Sequence, residues 1–173
     1  MATASRKIVV FDASPQNAPT PWMKKACQSA GVFLAELDAI ADLMAKDPEA
    51  QKLLVARGPT GPDASLAKHY RAALDTLAAG KTKVAVHSVV WLDYGIAADA
   101  AVLDFDNLQL ERARSKKLGL TDAGYDALVA KARDQMEARV AKLAPDRVLR
   151  LPEQASDARK AELAAAHLSK LLA

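Results

Sequence analysis

Apolar and polar positions define two kinds of segment along this chain. Short continuous apolar runs, rich in β-branched residues, are typical of strands buried on both faces of a parallel sheet. Longer stretches place apolar residues three or four positions apart, which predicts amphipathic helices. Strands are predicted at residues 8–11, 32–35, 83–91, 101–105 and 147–151.

Capping and turn residues place the helices between these strands. Thr20 followed by Pro21 predicts a helix start, and Gly31 predicts the end of the same helix. Further helices are predicted from about residue 38, over 48–57, from 66 to a C-cap at Gly80, over 108–118, from a cap at Thr121 to about 143, and over 157–172. Two glycines and two prolines at 58–62 interrupt the long helical insertion between the second and third strands.

This alternation of strands and helices predicts the fold class. We expect an α/β protein, a three-layer sandwich with helices on both faces of a parallel sheet of about five strands. The chain has 173 residues, of which 51% are hydrophobic. That size and composition suit one domain over residues 1–173, burying about 70% of the surface of the unfolded chain.

Charge and cysteine content narrow the class of protein. The net charge of +3 is spread along the chain and only 5% of the residues are aromatic, which argues against a nucleic-acid surface. The single cysteine, Cys27, excludes an intramolecular disulfide and is expected to pack inward from its helix. No signal-peptide pattern or membrane-spanning run is found, so we expect a cytoplasmic protein without a membrane partner. A homo-oligomer or a protein partner stays open.

The segment between the first strand and the first helix is the first candidate site. It reads Ala13-Ser-Pro-Gln-Asn-Ala-Pro-Thr20, and a helix N-terminus that follows a strand is a common phosphate site. The segment contains no glycine, and no lysine stands where the Walker A motif requires one. Ser14, Asn17 and Thr20 are the predicted donors, and they suit one phosphate better than three.

An acidic pair, Glu36 and Asp38, lies within residues 31–44, between the second predicted strand and the next helix. This segment resembles the second strand and acidic helix start of the dephospho-CoA kinase family. Residues 101–112 resemble its strand and Gln-x-x-Arg helix, residues 117–128 its lid helix, and residues 144–149 its closing strand.

This resemblance implies a P-loop-kinase-like skeleton with a degenerate phosphate loop. Glu36 or Asp38 would be the general base toward an acceptor hydroxyl, and Arg112 would close over a phosphate. The competing interpretation of Asp38, as the cap of the next helix, is favoured. Phosphoryl transfer depends on positioning by the loop that is missing here. We therefore expect a small phosphorylated ligand but no ATP-dependent kinase activity.

The third predicted strand carries further candidates. Trp91, Asp93 and Tyr94 follow its carboxyl end, where open α/β sheets bind ligands. His87 interrupts the apolar run and could act as an acid, a base or a ligand. No second histidine or cysteine lies at metal-ligand spacing, so a hydrogen-bonded structural histidine is favoured and no metal site is predicted. Trp22 either stacks on a planar ligand or anchors the first helix.

Two alternatives stand beside the kinase-like hypothesis. Residues 7–15 also resemble the opening of flavodoxin-like NAD(P)H:FMN or quinone reductases. That resemblance implies FMN as the cofactor, whereas the kinase-like hypothesis leaves the cofactor unknown. The flavodoxin-like hypothesis requires the first two strands to lie side by side. The second alternative is a non-catalytic subunit or scaffold that presents the leucines of its terminal helix to a partner. Packing of that helix on its own sheet is favoured.

Overall fold

The computed structural model describes residues 6–12, 19–57, 64–87, 97–106 and 119–172. The strands are β1 (Lys7–Asp12), β2 (Phe33–Glu36), β3 (Lys83–His87), β4 (Ala100–Leu103) and β5 (Val148–Arg150). The α-helices are α1 (Pro21–Ala30), α2 (Leu37–Ala45), α3 (Pro48–Arg57), α4 (Ala67–Leu77), α5 (Asp122–Val140) and α6 (Asp157–Leu171). Short 3₁₀ turns at Ala64–Leu66 and Pro145–Arg147 precede α4 and β5. The predicted helix over 108–118 and the extension of the third strand to residue 91 lie outside these ranges.

The described strands form one parallel sheet in the order β2-β3-β1-β4-β5. This confirms the predicted α/β class with a five-stranded parallel sheet. The first two strands are separated by β3, whereas flavodoxin-like proteins have the order 2-1-3-4-5. The flavodoxin-like alternative is therefore not favoured.

The position of β1 at the centre of the sheet explains why residues 8–11 are all apolar. Residues 8–12 are all buried, because β3 and β4 flank the strand and helices cover both faces. Val9 and Phe11 belong to the core under α1 and α6. Ile8 and Val10 belong to the core under α2 and α4. Successive side chains point to opposite faces, so each face needs apolar residues and no alternation appears.

Helices α1 and α6 form one outer layer, and α2 to α5 form the other. The first layer buries Trp22, Met23, Ala26 and Cys27 of α1 with Ala161, Ala164, Leu168 and Leu171 of α6. On the opposite face, α5 packs Met136 and Val140 against β4. The apolar side of α6 therefore packs on its own sheet, as predicted from the sequence. The scaffold alternative, in which this side contacts a partner, is not favoured. None of the helices in the described ranges is long and apolar enough to cross a membrane.

The helical insertion is held by an aspartate at its centre. The Asp47 carboxylate accepts backbone N–H bonds from Glu49 and Ala50 at 2.9 and 3.3 Å, which caps the start of α3. Its second oxygen lies 2.5 Å from Nδ1 of the buried His69 of α4. The hydrogen bond from His69 lowers the pKa of Asp47. One side chain therefore joins α3 to α4.

Two predicted helix caps were wrong. Helix α2 begins at Leu37, directly after β2, with Glu36 in the N-cap position. Asp38 is therefore in the first turn and does not cap the helix, although its negative charge still suits the N-terminal end of the helix dipole. Helix α4 ends with Ala78 as C-cap, and Gly80, at φ 74°, lies in the turn that follows.

Replacement of Gly31 tests the predicted end of α1. Gly31 has φ 63° and ψ 34°, and no atom lies within 4 Å of the position that a Cβ would take. The cost of Gly31→Ala is therefore conformational, and we expect the free energy of unfolding to fall by about 1 kcal/mol in urea denaturation. Gly31→Asn should cost less, since asparagine tolerates this backbone region better. Equal stability of Gly31→Ala and the unmodified protein would contradict the assignment.

Candidate functional site

Four ionisable residues lie at the carboxyl edge of the sheet. Across the sheet they are Glu36 of β2, His87 of β3, Asp12 of β1, and Asp104, which follows β4. The connection from β1 leads toward β2 and the connection from β4 leads toward β5, so the chain leaves these two neighbouring strands in opposite directions. Such a switch point at the carboxyl ends of the strands is where open α/β sheets bind ligands.

Glu36 and His87 are neighbours on this edge. The parallel register pairs the two residues directly. Leu34 and Ala85, two positions earlier, pack into the core under α1 and α6. Because side chains alternate along a strand, Glu36 and His87 also lie on the α1 side of the sheet.

Helix α1 adds Lys24 to Glu36 and His87, and these three residues form one corner of the site. Lys24 Nζ lies 3.4 Å from Glu36 Oε1, and both side chains are about half exposed. An exposed pair of this kind contributes up to about 1 kcal/mol to stability. The pair shows that the Glu36 carboxylate lies within reach of the first turns of α1.

His87 is the least solvated member of the corner. It is 3% exposed, and within the described ranges no group forms a hydrogen bond with its Nδ1. Burial lowers the pKa of His87, and the nearby carboxylates of Glu36 and Asp38 offset part of that shift. The ring is therefore neutral at pH 7, with one nitrogen as donor and the other as acceptor.

A buried ion pair occupies the β4 end of the edge. Lys160 of α6 is 5% exposed and Asp104 is 2% exposed. Lys160 Nζ lies 2.9 Å from both carboxylate oxygens of Asp104. Asp104 also accepts hydrogen bonds from Trp22 Nε1 and from the Asp106 backbone, both at 3.1 Å. Trp22 therefore anchors α1 in the core, which is one of the two interpretations that the sequence left open.

Asp106 completes this cluster. Its Oδ2 lies 2.7 Å from Lys160 Nζ, and both of its carboxylate oxygens accept the Gln154 N–H at 2.8 and 2.9 Å. Burial alone would lower the pKa of Lys160, but the hydrogen bonds and charges of Asp106 and Asp104 outweigh it and raise the pKa. The lysine is therefore a charged structural group.

Asp12 ends the central strand in a fully buried position. Its Oδ2 lies 3.6 Å from Nη1 of Arg139 on α5. Its carbonyl accepts the Asp104 N–H at 3.0 Å. The candidate phosphate loop therefore leaves β1 at a buried aspartate that contacts an arginine of α5.

The structure describes three of the predicted site residues. Thr20 occupies the N-cap of α1 as predicted, with φ −70° and ψ 159°. Its carbonyl accepts the Met23 N–H at 3.1 Å, and its buried Oγ1 has no hydrogen-bond partner in the part of the chain that is described. Glu36 lies at the site edge, and Asp38 is exposed in the first turn of α2. The predicted site residues outside the described ranges are Ser14, Asn17, Trp91, Asp93, Tyr94 and Arg112.

The sequence did not reveal the Lys160 cluster. Its signal was present, because Lys160 is four residues before Ala164 and eight before Leu168, on the apolar stripe of α6. A lysine at such a position is almost never buried without a partner. Cys27 is buried, and burial raises the pKa of its thiol to about 12. This confirms the predicted inward-packed residue.

The described fold defines the class of this protein as α/β, with helices on both faces of a parallel sheet. No protein-family model matches the chain, and no curated protein matches its sequence. Among solved structures, it is similar to a gluconokinase from Sinorhizobium meliloti 1021, with 15% identity and a TM-score of 0.45. That match covers 97% of this chain and 94% of the other. A similarity at this level assigns no activity.

Removal of the buried lysine should destabilise the protein strongly. Lys160→Met leaves the Asp104 carboxylate buried without its cation, and we expect a loss of about 3 kcal/mol in the free energy of unfolding. The matched control is Lys170→Met on the exposed side of the same helix, with an expected change of about 0.5 kcal/mol or less. Equal effects of the two substitutions in urea denaturation would show that the cluster does not hold α6.

NMR titration of His87 tests the electrostatics of the corner. We expect its pKa below the ordinary value of about 6.5. A lowered pKa means that His87 binds a proton more readily in the unfolded chain than in the folded protein. The free energy of unfolding should therefore fall as the pH drops below about 6.5. Glu36→Gln removes a charge that favours the protonated ring and should lower the pKa of His87 further. Glu49→Gln on α3 is the control, and a His87 pKa above 6.5 would refute this picture.

Proposed function

We propose that this protein is a degenerate nucleotide-kinase-like protein that binds a small phosphorylated ligand at the N-terminus of α1, without ATP-dependent phosphoryl transfer. The observation that carries the proposal is the position of this terminus. Helix α1 begins just beyond the carboxyl end of the central strand, beside the switch point of the sheet. The strand order disfavours the flavodoxin-like alternative, which supports the kinase-like one.

The first turn of α1 suits an anion. Early N–H groups and the helix dipole provide positive potential there. The first turn contains no acidic residue that would neutralise this potential. Thr20 Oγ1 is buried and has no partner in the described ranges, so it is available as a donor. Ser14 and Asn17 are proposed as the further donors.

A single phosphate fits this setting better than a triphosphate. The nearest lysine of α1, Lys24, is directed toward Glu36. The segment between Asp12 and Lys24 contains no glycine, and a Walker A loop uses glycines to wrap the phosphates.

The remaining predicted residues would contact the rest of the ligand. Glu36 and Asp38 are proposed at the β2 end of the edge, where a carboxylate can accept a hydroxyl proton. Trp91, Asp93 and Tyr94 follow β3, and Arg112 is proposed to close over the phosphate. FMN is not proposed as a cofactor.

NMR titrations with inorganic phosphate, AMP and Mg-ATP test this proposal. We expect phosphate and AMP to shift the amide signals of Trp22 and Met23, and Mg-ATP to bind no more than threefold tighter than AMP. Thr20→Val should weaken phosphate binding several-fold, because it removes a hydroxyl donor. Thr76→Val on the exposed side of α4 is the matched control.

Two results would contradict the proposal. In the first, the signals that respond to phosphate lie only on another face of the protein. In the second, Mg-ATP binds more than tenfold tighter than AMP and is turned over, which would require a working triphosphate site.

A further inference from the structure

We propose that His87 and Glu36 form the hydroxyl-binding half of this site, so that the ligand is a phosphorylated polyhydroxy compound such as a sugar phosphate. This inference rests on the proposed function and adds the class of ligand. It assigns to His87 a role in binding in place of the structural role that its sequence context favoured.

The placement of His87 supports a role at the ligand. It is the last residue of β3, directly paired with Glu36 on one side and with Phe11 of the central strand on the other. Its side chain lies on the α1 side of the sheet, the side on which the phosphate is proposed. Within the described ranges, its Nδ1 has no hydrogen-bond partner, which is also true of Nε2 of His69 and of His167. His87 differs from these two because it lies at the carboxyl end of a strand, directly beside Glu36.

The two side chains have complementary hydrogen-bonding capacity. A neutral imidazole offers one donor and one acceptor, and an ionised carboxylate only accepts. A hydroxyl group can donate to one partner and accept from the other. Vicinal hydroxyls therefore match the pair, whereas an apolar group would leave Nδ1 unsatisfied and a second phosphate would face the charges of Glu36 and Asp38.

Helix α1 and Glu36 are connected by one side chain. Lys24, four residues after the N-cap Thr20, reaches Glu36 Oε1 at 3.4 Å. One small molecule is proposed to contact both the N-terminus of α1 and the pair formed by Glu36 and His87.

The test compares inorganic phosphate with ribose 5-phosphate and glycerol 3-phosphate on the full chain. Chemical shifts of the His87 ring and of the Trp22 and Met23 amides are followed in the same titration. We expect ribose 5-phosphate to bind at least tenfold tighter than inorganic phosphate and to move the His87 ring signals. Inorganic phosphate should shift the α1 amides alone. The ring signals are read in the unmodified protein, so this part of the test requires no variant.

Variants test whether His87 causes the tighter binding of ribose 5-phosphate. His87→Phe should abolish the tenfold preference for ribose 5-phosphate over inorganic phosphate, whereas His87→Gln, which keeps a donor and an acceptor, should retain part of it. His167→Gln on α6 is the control. If phosphate shifts the α1 amides but neither polyol phosphate binds tighter or moves the ring, the inference fails and the proposed function stands. If no probe shifts the α1 amides, the proposed function fails and this inference with it.

Discussion

A lysine buried between two aspartates fixes how one helical layer sits on the sheet. Lys160 brings α6 to the end of β4, and the Asp104 carboxylate that it neutralises also accepts the indole N–H of Trp22 from α1. Removing charges from water is costly, and it is tolerated only where the partners satisfy one another fully. Asp104 meets that condition with donors from the lysine, the tryptophan and the backbone of Asp106.

The candidate site depends on this cluster because the cluster positions α1. The N-terminus of α1 carries Thr20 and the first-turn N–H groups, and Lys24 extends from it to Glu36. Trp22 lies between these groups and is fixed by its hydrogen bond to Asp104. The structural charges at β4 and the candidate-site residues Glu36 and His87 at β2 and β3 are thus two halves of one edge. One half is satisfied internally and the other has an unsatisfied imidazole nitrogen within the described ranges.

Local signals in the sequence predicted the elements well. Thr20-Pro21 and Gly31 bounded α1, and the apolar runs located the five strands of the described ranges, because caps and burial on both faces are properties of neighbouring residues. The strand order was not predictable in this way, since the alternation of strands and helices is the same for flavodoxin-like and other orders. The partners Lys160 and Asp104 are 56 residues apart, and only the packing of α6 brings them together. Asp38 was misplaced as a cap because β2 passes into α2 without a loop, which makes Glu36 the N-cap.

A crystal structure grown with ribose 5-phosphate tests the central claim most directly. The account predicts the phosphate at the first turn of α1, within hydrogen-bond distance of Thr20 Oγ1, and a sugar hydroxyl within the same distance of His87. The contradicting result is a sugar phosphate bound at the opposite, amino edge of the sheet, where Lys81 and Lys83 line a surface cavity, with the corner at His87 and Glu36 left empty.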